Sequence, residues 1–134
     1  MKIITLDWRD TLPIRQAVLW PDKPSAFSQV EGDELAEHFG VILDDQLVCV
    51  ASIFYQGKVA RLRKFATLAA FQGRGIGSCL IEHILQQLVD QGYESFWCDA
   101  RESALGFYQR FGLSPSGERF YKAEQAYFKM AKQL

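Results

Sequence analysis

The spacing of apolar residues changes period several times along this chain, and each change marks an element. Ile3 to Leu6 predicts a short strand. Thr11 and Pro13, followed by Ile14, Ala17 and Val18 at helical spacing, predict a first helix that starts at Thr11. Trp20 to Gly32 carries Pro21, Pro24, Ser25 and Ser28 and reads as a long loop. The period then becomes two. Phe39–Leu43 and Leu47–Tyr55 flank a tight turn at Asp44-Asp45, and Gln56-Gly57-Lys58 leads into Val59–Leu68, giving three consecutive antiparallel strands.

After a glycine-rich turn, Ile76, Leu80, Ile84 and Leu88 share one helical face with Ile81 and Leu85 beside them. Glu82, Gln86, Gln87 and Asp90 point away, and Gly92 stands where a glycine ends a helix. Phe96–Ala100 predicts a buried strand, Ser103–Phe111 a second helix closed by Gly112, and Glu118–Ala131 a final hairpin. The order is meander, helix, strand, helix, hairpin: an α+β chain.

Composition narrows the class. At 134 residues the chain has the length of one domain, 1–134. Its 49% hydrophobic and 23% charged residues are those of an ordinary folded protein. A net charge of −1 offers no basic field for nucleic acid or an anionic membrane. Cys49, Cys79 and Cys98 are odd in number and lack a Cys-x-x-Cys spacing, which argues against disulfides and a metal site and for a reducing compartment. The N-terminal apolar run is too short for a signal peptide and none is long enough to span a membrane, so the expected location is the cytoplasm. Monomer and homodimer both remain open.

The candidate chemistry begins at Gln72-Gly73-Arg74-Gly75-Ile76-Gly77. Three alternating glycines let the backbone approach a ligand closely, and the turn opens into a helix whose first N–H groups and positive dipole end face outward. Such a site suits phosphate. Two nucleotide motifs fail here. A P-loop requires Lys and then Ser or Thr after the last glycine, where Ser78 and Cys79 stand. A dinucleotide fingerprint would place its third glycine on Ser78 or Leu80, and the preceding strands are antiparallel.

The pattern Gln-x-x-Gly-x-Gly instead resembles the acyl-CoA loop of the GNAT superfamily of N-acetyltransferases. Leu62–Leu68 followed by Phe71–Gly77 is similar to that family's strand-loop-helix core, and Ala104-Leu105-Gly106-Phe107-Tyr108-Gln109-Arg110-Phe111-Gly112 is similar to its Ala-x-x-Phe-Tyr-x-x-x-Gly signature. Gly117-Glu118-x-Phe120, closing with Met130, resembles a common ending. The resemblance covers roughly residues 60 to 130. It implies a mixed, mostly antiparallel central sheet splayed at its centre, with helices on both faces in three layers.

It also implies an acetyl-CoA-dependent N-acetyltransferase with an amine acceptor. The pyrophosphate would sit on Gly73, Arg74, Gly75, Ile76, Gly77 and Ser78, with Gln72 bracing the loop or donating to phosphate. The pantetheine arm would run along the backbone of Phe65, Ala66 and Thr67, where an N–H could polarise the thioester carbonyl. Tyr108 falls on the family's general-acid position, and a phenol can protonate a thiolate of similar basicity. Candidate bases are Glu31, Asp33 and His38, clustered before the second strand, and Asp99 at the end of the strand after the helix; a water relay is a further option. Trp20, Phe27, Phe54 and Trp97 could wall the acceptor pocket, and Arg15 and Arg101 could pair with an acceptor carboxylate or with neighbouring acids. A small amine is the favoured acceptor. A protein or peptide amine, and a catalytically silent CoA-binding module, are the alternatives.

Overall fold

A computed structural model describes all 134 residues. Strand β1 (Lys2–Leu6) leads directly into helix α1 (Trp8–Leu19). The helix starts earlier than Thr11 because Asp7 caps it, its carboxylate accepting from the Arg9 N–H at 3.0 Å. Pro13 therefore lies inside the helix rather than at its start. The loop that follows contains two short 3₁₀ turns, Ser25–Ser28 and Asp33–Leu35.

Strands β2 (Glu37–Leu43), β3 (Gln46–Gln56) and β4 (Val59–Thr67) form the expected antiparallel meander. Asp44 and Asp45 both adopt positive φ, the twist that a two-residue hairpin requires. Helix α2 (Ile76–Asp90) crosses to β5 (Ser95–Arg101), and α3 (Leu105–Gln109) follows after a 3₁₀ turn. The second helix is thus shorter than its sequence pattern predicts. Strands β6 (Ser114–Pro115), β7 (Phe120–Lys122) and β8 (Gln125–Gln133) complete the sheet. β7 and β8 make the expected hairpin, while β6 is too short to leave a periodic signal.

The strand order is β1-β2-β3-β4-β5-β8-β6, with β7 also on β8. Every neighbouring pair is antiparallel except β4 with β5. Alternation along the strands sends residues to two faces. Cys49, Ala51 and Ile53 of β3, Ala60 and Leu62 of β4, and Phe96, Cys98 and Ala100 of β5 join the core under α2. Ile76, Leu80, Ile81, Ile84 and Leu88 of α2 close that core. Burying each such side chain contributes roughly 2 kcal/mol, an upper figure because the unfolded chain already hides some apolar surface.

On the opposite face, Ile14 of α1 packs on Val50 and Ala66. Beside it Arg15, fully buried, fastens α1 to the loop before β2. Its Nη1 and Nη2 donate to the two Asp33 carboxylate oxygens at 2.9 and 3.0 Å, Nη1 also reaches the Ser28 carbonyl at 3.0 Å, and Nη2 the Ser52 hydroxyl at 2.9 Å.

Candidate active site

β4 and β5 pair over only three positions, Val59 with Ser95, Ala60 with Phe96 and Arg61 with Trp97. Beyond them the strands diverge, and Leu62–Thr67 and Cys98–Arg101 become the two walls of a cavity of about 680 Å³. The divergence has a local cause. The β3–β4 register slips between Val50 and Ser52, so Lys64 and Phe65 together stand opposite Ala51, and Lys64 takes a φ of +55°. A bulge of this kind bends its strand and strengthens its twist. The edge of β4 that faces the fork is consequently free of strand partners at Phe65, Ala66 and Thr67, while the other edge continues on β3.

The glycine turn stands at one end of this cavity, which Gln72 lines. Gln72 Nε2 donates to the Thr67 carbonyl at 2.9 Å and so ties the turn to the end of β4. Gly75 holds the cap position of α2 at φ +79°, with no side chain accepting from the helix. The first N–H groups of α2 are therefore left without a capping side chain. A Cβ built on Gly73 or Gly75 would meet nothing within 4 Å, so the turn is open on its outer side. An anionic group such as a pyrophosphate fits this cradle. Arg74 is exposed and its guanidinium lies 5.2 Å from the centre of the Phe71 ring.

α3 delivers Tyr108 to the α2 side of the cavity. The residue is 7% exposed, packs edge-on against Phe107 at 5.1 Å, and faces the Cys98 thiol. Burial, and then the Cys98 sulfur beside it, push the Tyr108 phenol well above its usual value of 10. Burial likewise pushes the Cys98 thiol up to about 12. Tyr108 is therefore a neutral phenol throughout the physiological range, able to give a proton.

The α1 side of the fork carries different chemistry. Asp99 alternates with the buried Cys98 and so points to the other face, where its Oδ2 accepts from Arg61 Nη2 at 3.0 Å and Lys122 Nζ at 3.1 Å. It is the one carboxylate on the cavity wall. Glu31, Asp33 and His38 do not line the cavity. Glu31 is exposed. Asp33 is occupied by Arg15 and by the Val30 N–H at 2.8 Å. His38 is 4% exposed, with Nε2 at 2.7 Å from the Asp33 carbonyl and Nδ1 at 2.7 Å from the Ser52 hydroxyl. Because a carbonyl only accepts, Nε2 carries a proton. Ser52 Oγ, which accepts from Arg15, also bonds Nδ1, so the ring is held at both nitrogens.

Of the aromatic candidates, Trp20 lines the cavity and packs edge-on with Phe27 at 5.2 Å. Phe54 lies under the Arg63 guanidinium and Trp97 between Arg61 and Lys129. Arg101 lines the cavity, whereas Arg15 is spent on Asp33. Sequence reasoning passed over Arg61, Arg63, Lys64 and Lys122, all on the cavity wall. The alternation of Arg61 and Arg63 with Leu62 is visible in the sequence, but not the fork onto which it opens.

The family model of the acetyltransferase (GNAT) domain matches residues 22–134. An uncharacterized N-acetyltransferase of Bacillus subtilis (strain 168), YitI, is 30% identical over 129 residues, covering 90% of this chain and 87% of that protein. Among solved structures, Escherichia coli ElaA superposes with a TM-score of 0.83 at 20% identity, covering 98% of each chain. A GNAT family acetyltransferase from Elizabethkingia anophelis, solved with acetyl-CoA bound, gives 0.73 at 12% identity, covering 99% of this chain and 97% of the other. With its splayed β4–β5 fork, uncapped glycine turn and matching sequence, the chain belongs to the acetyltransferase (GNAT) domain family and is an N-acetyltransferase.

Proposed function

We propose that this chain moves the acetyl group of acetyl-CoA to the primary amine of a small molecule by direct attack, with Tyr108 as the general acid. The observation that carries this reading is that one cavity joins three parts. At one end Gln72 leads into an uncapped helix start, on one side is a buried phenol, and on the other a carboxylate. The backbone N–H groups from Gly73 to Ser78, across the turn and the start of α2, would hold the pyrophosphate, and the unpaired edge of β4 at Phe65, Ala66 and Thr67 would hold the pantetheine arm. When bound, acetyl-CoA supplies an acetyl thioester whose C–S bond breaks as the amine nitrogen forms the new amide bond.

The chain's own groups then have separate tasks. A backbone N–H at Ala66 or Thr67 steadies the carbonyl oxygen as charge develops on it. Tyr108 gives its proton to the departing thiolate and regains one from the amine nitrogen as that becomes the amide, a role suited to a phenol that burial keeps neutral. Asp99, on the opposite face of the fork, takes the proton that an arriving ammonium must lose. The test is Tyr108→Phe. Its turnover should fall by about 10²-fold or more with the KM for acetyl-CoA unchanged. Undiminished turnover would remove Tyr108 from the mechanism.

A further inference from the structure

The acceptor side of the cavity is strongly cationic although the chain is not. Its wall carries Arg61, Arg63, Lys64, Arg101 and Lys122 against the single carboxylate of Asp99. The whole chain has 15 Lys and Arg against 16 Asp and Glu, so a third of its cations converge here with one of its acids. Arg61 and Lys122 share Asp99, and their ion pairs are at 3.0 and 3.1 Å. Arg63, Lys64 and Arg101 make no ion pair. Arg61 also keeps a buried Nε without a hydrogen-bond partner. Burial and neighbouring cations push the ionisation of both Arg63 and Lys64 down, the behaviour of charges left without a counter-charge.

These cations are poorly placed for the phosphates of acetyl-CoA. Arg61 and Arg63 alternate with Ala60 and Leu62, which join the core under α2, so they lie on the α1 face. The Arg63 guanidinium stands over Phe54 at 5.5 Å, and a Cβ built on Gly32 of the loop before β2 would meet the Phe54 ring at 3.7 Å. The glycine turn lies past the far end of β4, about 10 Å further along at some 3.3 Å per residue, and has its own uncapped N–H groups and Arg74. With acetyl-CoA placed on the glycine turn and the edge of β4 as proposed above, the α1 face is left for the acceptor.

We infer that the acceptor is a small amine bearing an anionic group, carboxylate or phosphate, which Arg63, Lys64 and Arg101 receive while Asp99 faces the amine. This rests on the small-amine reading above and names its substrate class. Guanidinium groups suit both anions because their paired N–H donors match two oxygens at once. The attraction also draws acidic amines from solution and repels polyamines.

The test is a steady-state comparison of matched acceptors: glutamate with its diamide, phosphoethanolamine with ethanolamine, and spermidine as the cationic extreme. The acidic member of at least one pair should show a kcat/KM higher than its neutral partner by about tenfold or more. Which pair responds tells carboxylate from phosphate. Arg63→Gln and, separately, Lys64→Gln, each with a melting temperature near that of the unaltered protein, should erase most of that preference by raising the acceptor KM. Equal or better use of the neutral amines or spermidine would overturn the inference while leaving the transferase intact. So would an effect of Arg63→Gln on the acetyl-CoA KM in place of the acceptor KM. If no member is acetylated, the same amines are titrated into the CoA-loaded protein. Selective binding of the acidic ones would support anion recognition by Arg63, Lys64 and Arg101 but overturn these amines as acceptors, and no binding at all would overturn both.

Discussion

Arg61, in the last pair of β4 with β5, donates from Nη2 to Asp99 Oδ2 at 3.0 Å, two residues past its partner Trp97. The bond ties the two arms of the fork together at the point where the backbone ladder stops. It also fixes the one cavity carboxylate beside two cations, since Lys122 reaches the same oxygen from β7. Both partners are partly exposed, so the pair contributes modestly to stability, about 1 kcal/mol or less. Its larger effect is to hold Asp99 in one orientation.

Asp99→Asn keeps the shape of the side chain and removes its charge. The expected result is a fall in acceptor kcat/KM of about 10²-fold, with the acetyl-CoA KM unchanged. Steady-state kinetics with each substrate varied in turn would check it. A variant that retains its acceptor kcat/KM would remove Asp99 from the chemistry.

Alkaline pH should weaken the fold through its buried thiols. Burial pushes Cys49 up to about 11 and Cys98 up to about 12 from an ordinary 9.0. Both groups stay neutral in the folded chain at pH values where the unfolded chain already ionises. Their contribution is therefore complete below about pH 9 and is lost progressively as pH rises through the folded values. Urea denaturation between pH 7 and 11 should show this decline, and Cys98→Ala should remove part of its slope. Tyr108 adds to the decline only above pH 10.

The acid side belongs to Asp33. Burial alone would raise its carboxyl, but the Arg15 hydrogen bonds, the Val30 N–H and the Arg15 charge outweigh that and hold it below the usual range. Its stabilising share is therefore present above about pH 4 and is lost as pH falls through the lowered folded value. Asp33→Ala leaves the Arg15 charge buried without a partner and should cost about 3–5 kcal/mol. Because neither residue lines the cavity, surviving folded protein should keep its acetyl-CoA KM. A urea midpoint close to that of the unaltered chain would contradict the anchoring role.

Two glycines of the turn should fail differently. Gly75→Ala meets no atom but must hold φ +79°, a strain of about 1–2 kcal/mol for a residue with a Cβ. It should raise the acetyl-CoA KM several-fold by disturbing the start of α2. Gly77→Ala carries no such backbone strain, but its Cβ would come within 2.9 Å of the Phe65 ring. That ring is packed on Phe107 at 5.7 Å, so the displacement should reach the cavity wall and lower kcat as well. Kinetics of the pair, with thermal melts as the fold control, separates the two effects.

Much of this was legible in the residues. The spacing of Ile76, Leu80, Ile84 and Leu88 specifies α2 because a helix repeats every 3.6 residues whatever it packs against. The meander from Glu37 to Thr67 follows from alternation broken at Asp44-Asp45 and Gly57. The open turn at Gly73 and Gly75 is local backbone chemistry and needs no partner to be recognised. Thr11 and Pro13 both resemble a helix beginning, whereas Asp7, directly after β1, is the residue that caps α1.

The sequence thus determined the order of elements, the glycine turn and the presence of Tyr108 near it in the matched motif. Tertiary structure alone decided which faces meet. Alternation says that Arg61 and Arg63 share a side, but not that Asp99 and Lys122 lie across from them, since those contacts join residues far apart in the chain. The bulge at Lys64 compounds this. One extra residue reverses the facing of everything after it, and no local signal marks where it falls. For the same reason Asp33 and His38, candidates for chemistry by residue type, became a buried anchor for α1. Only packing places Arg15 and Ser52 against them.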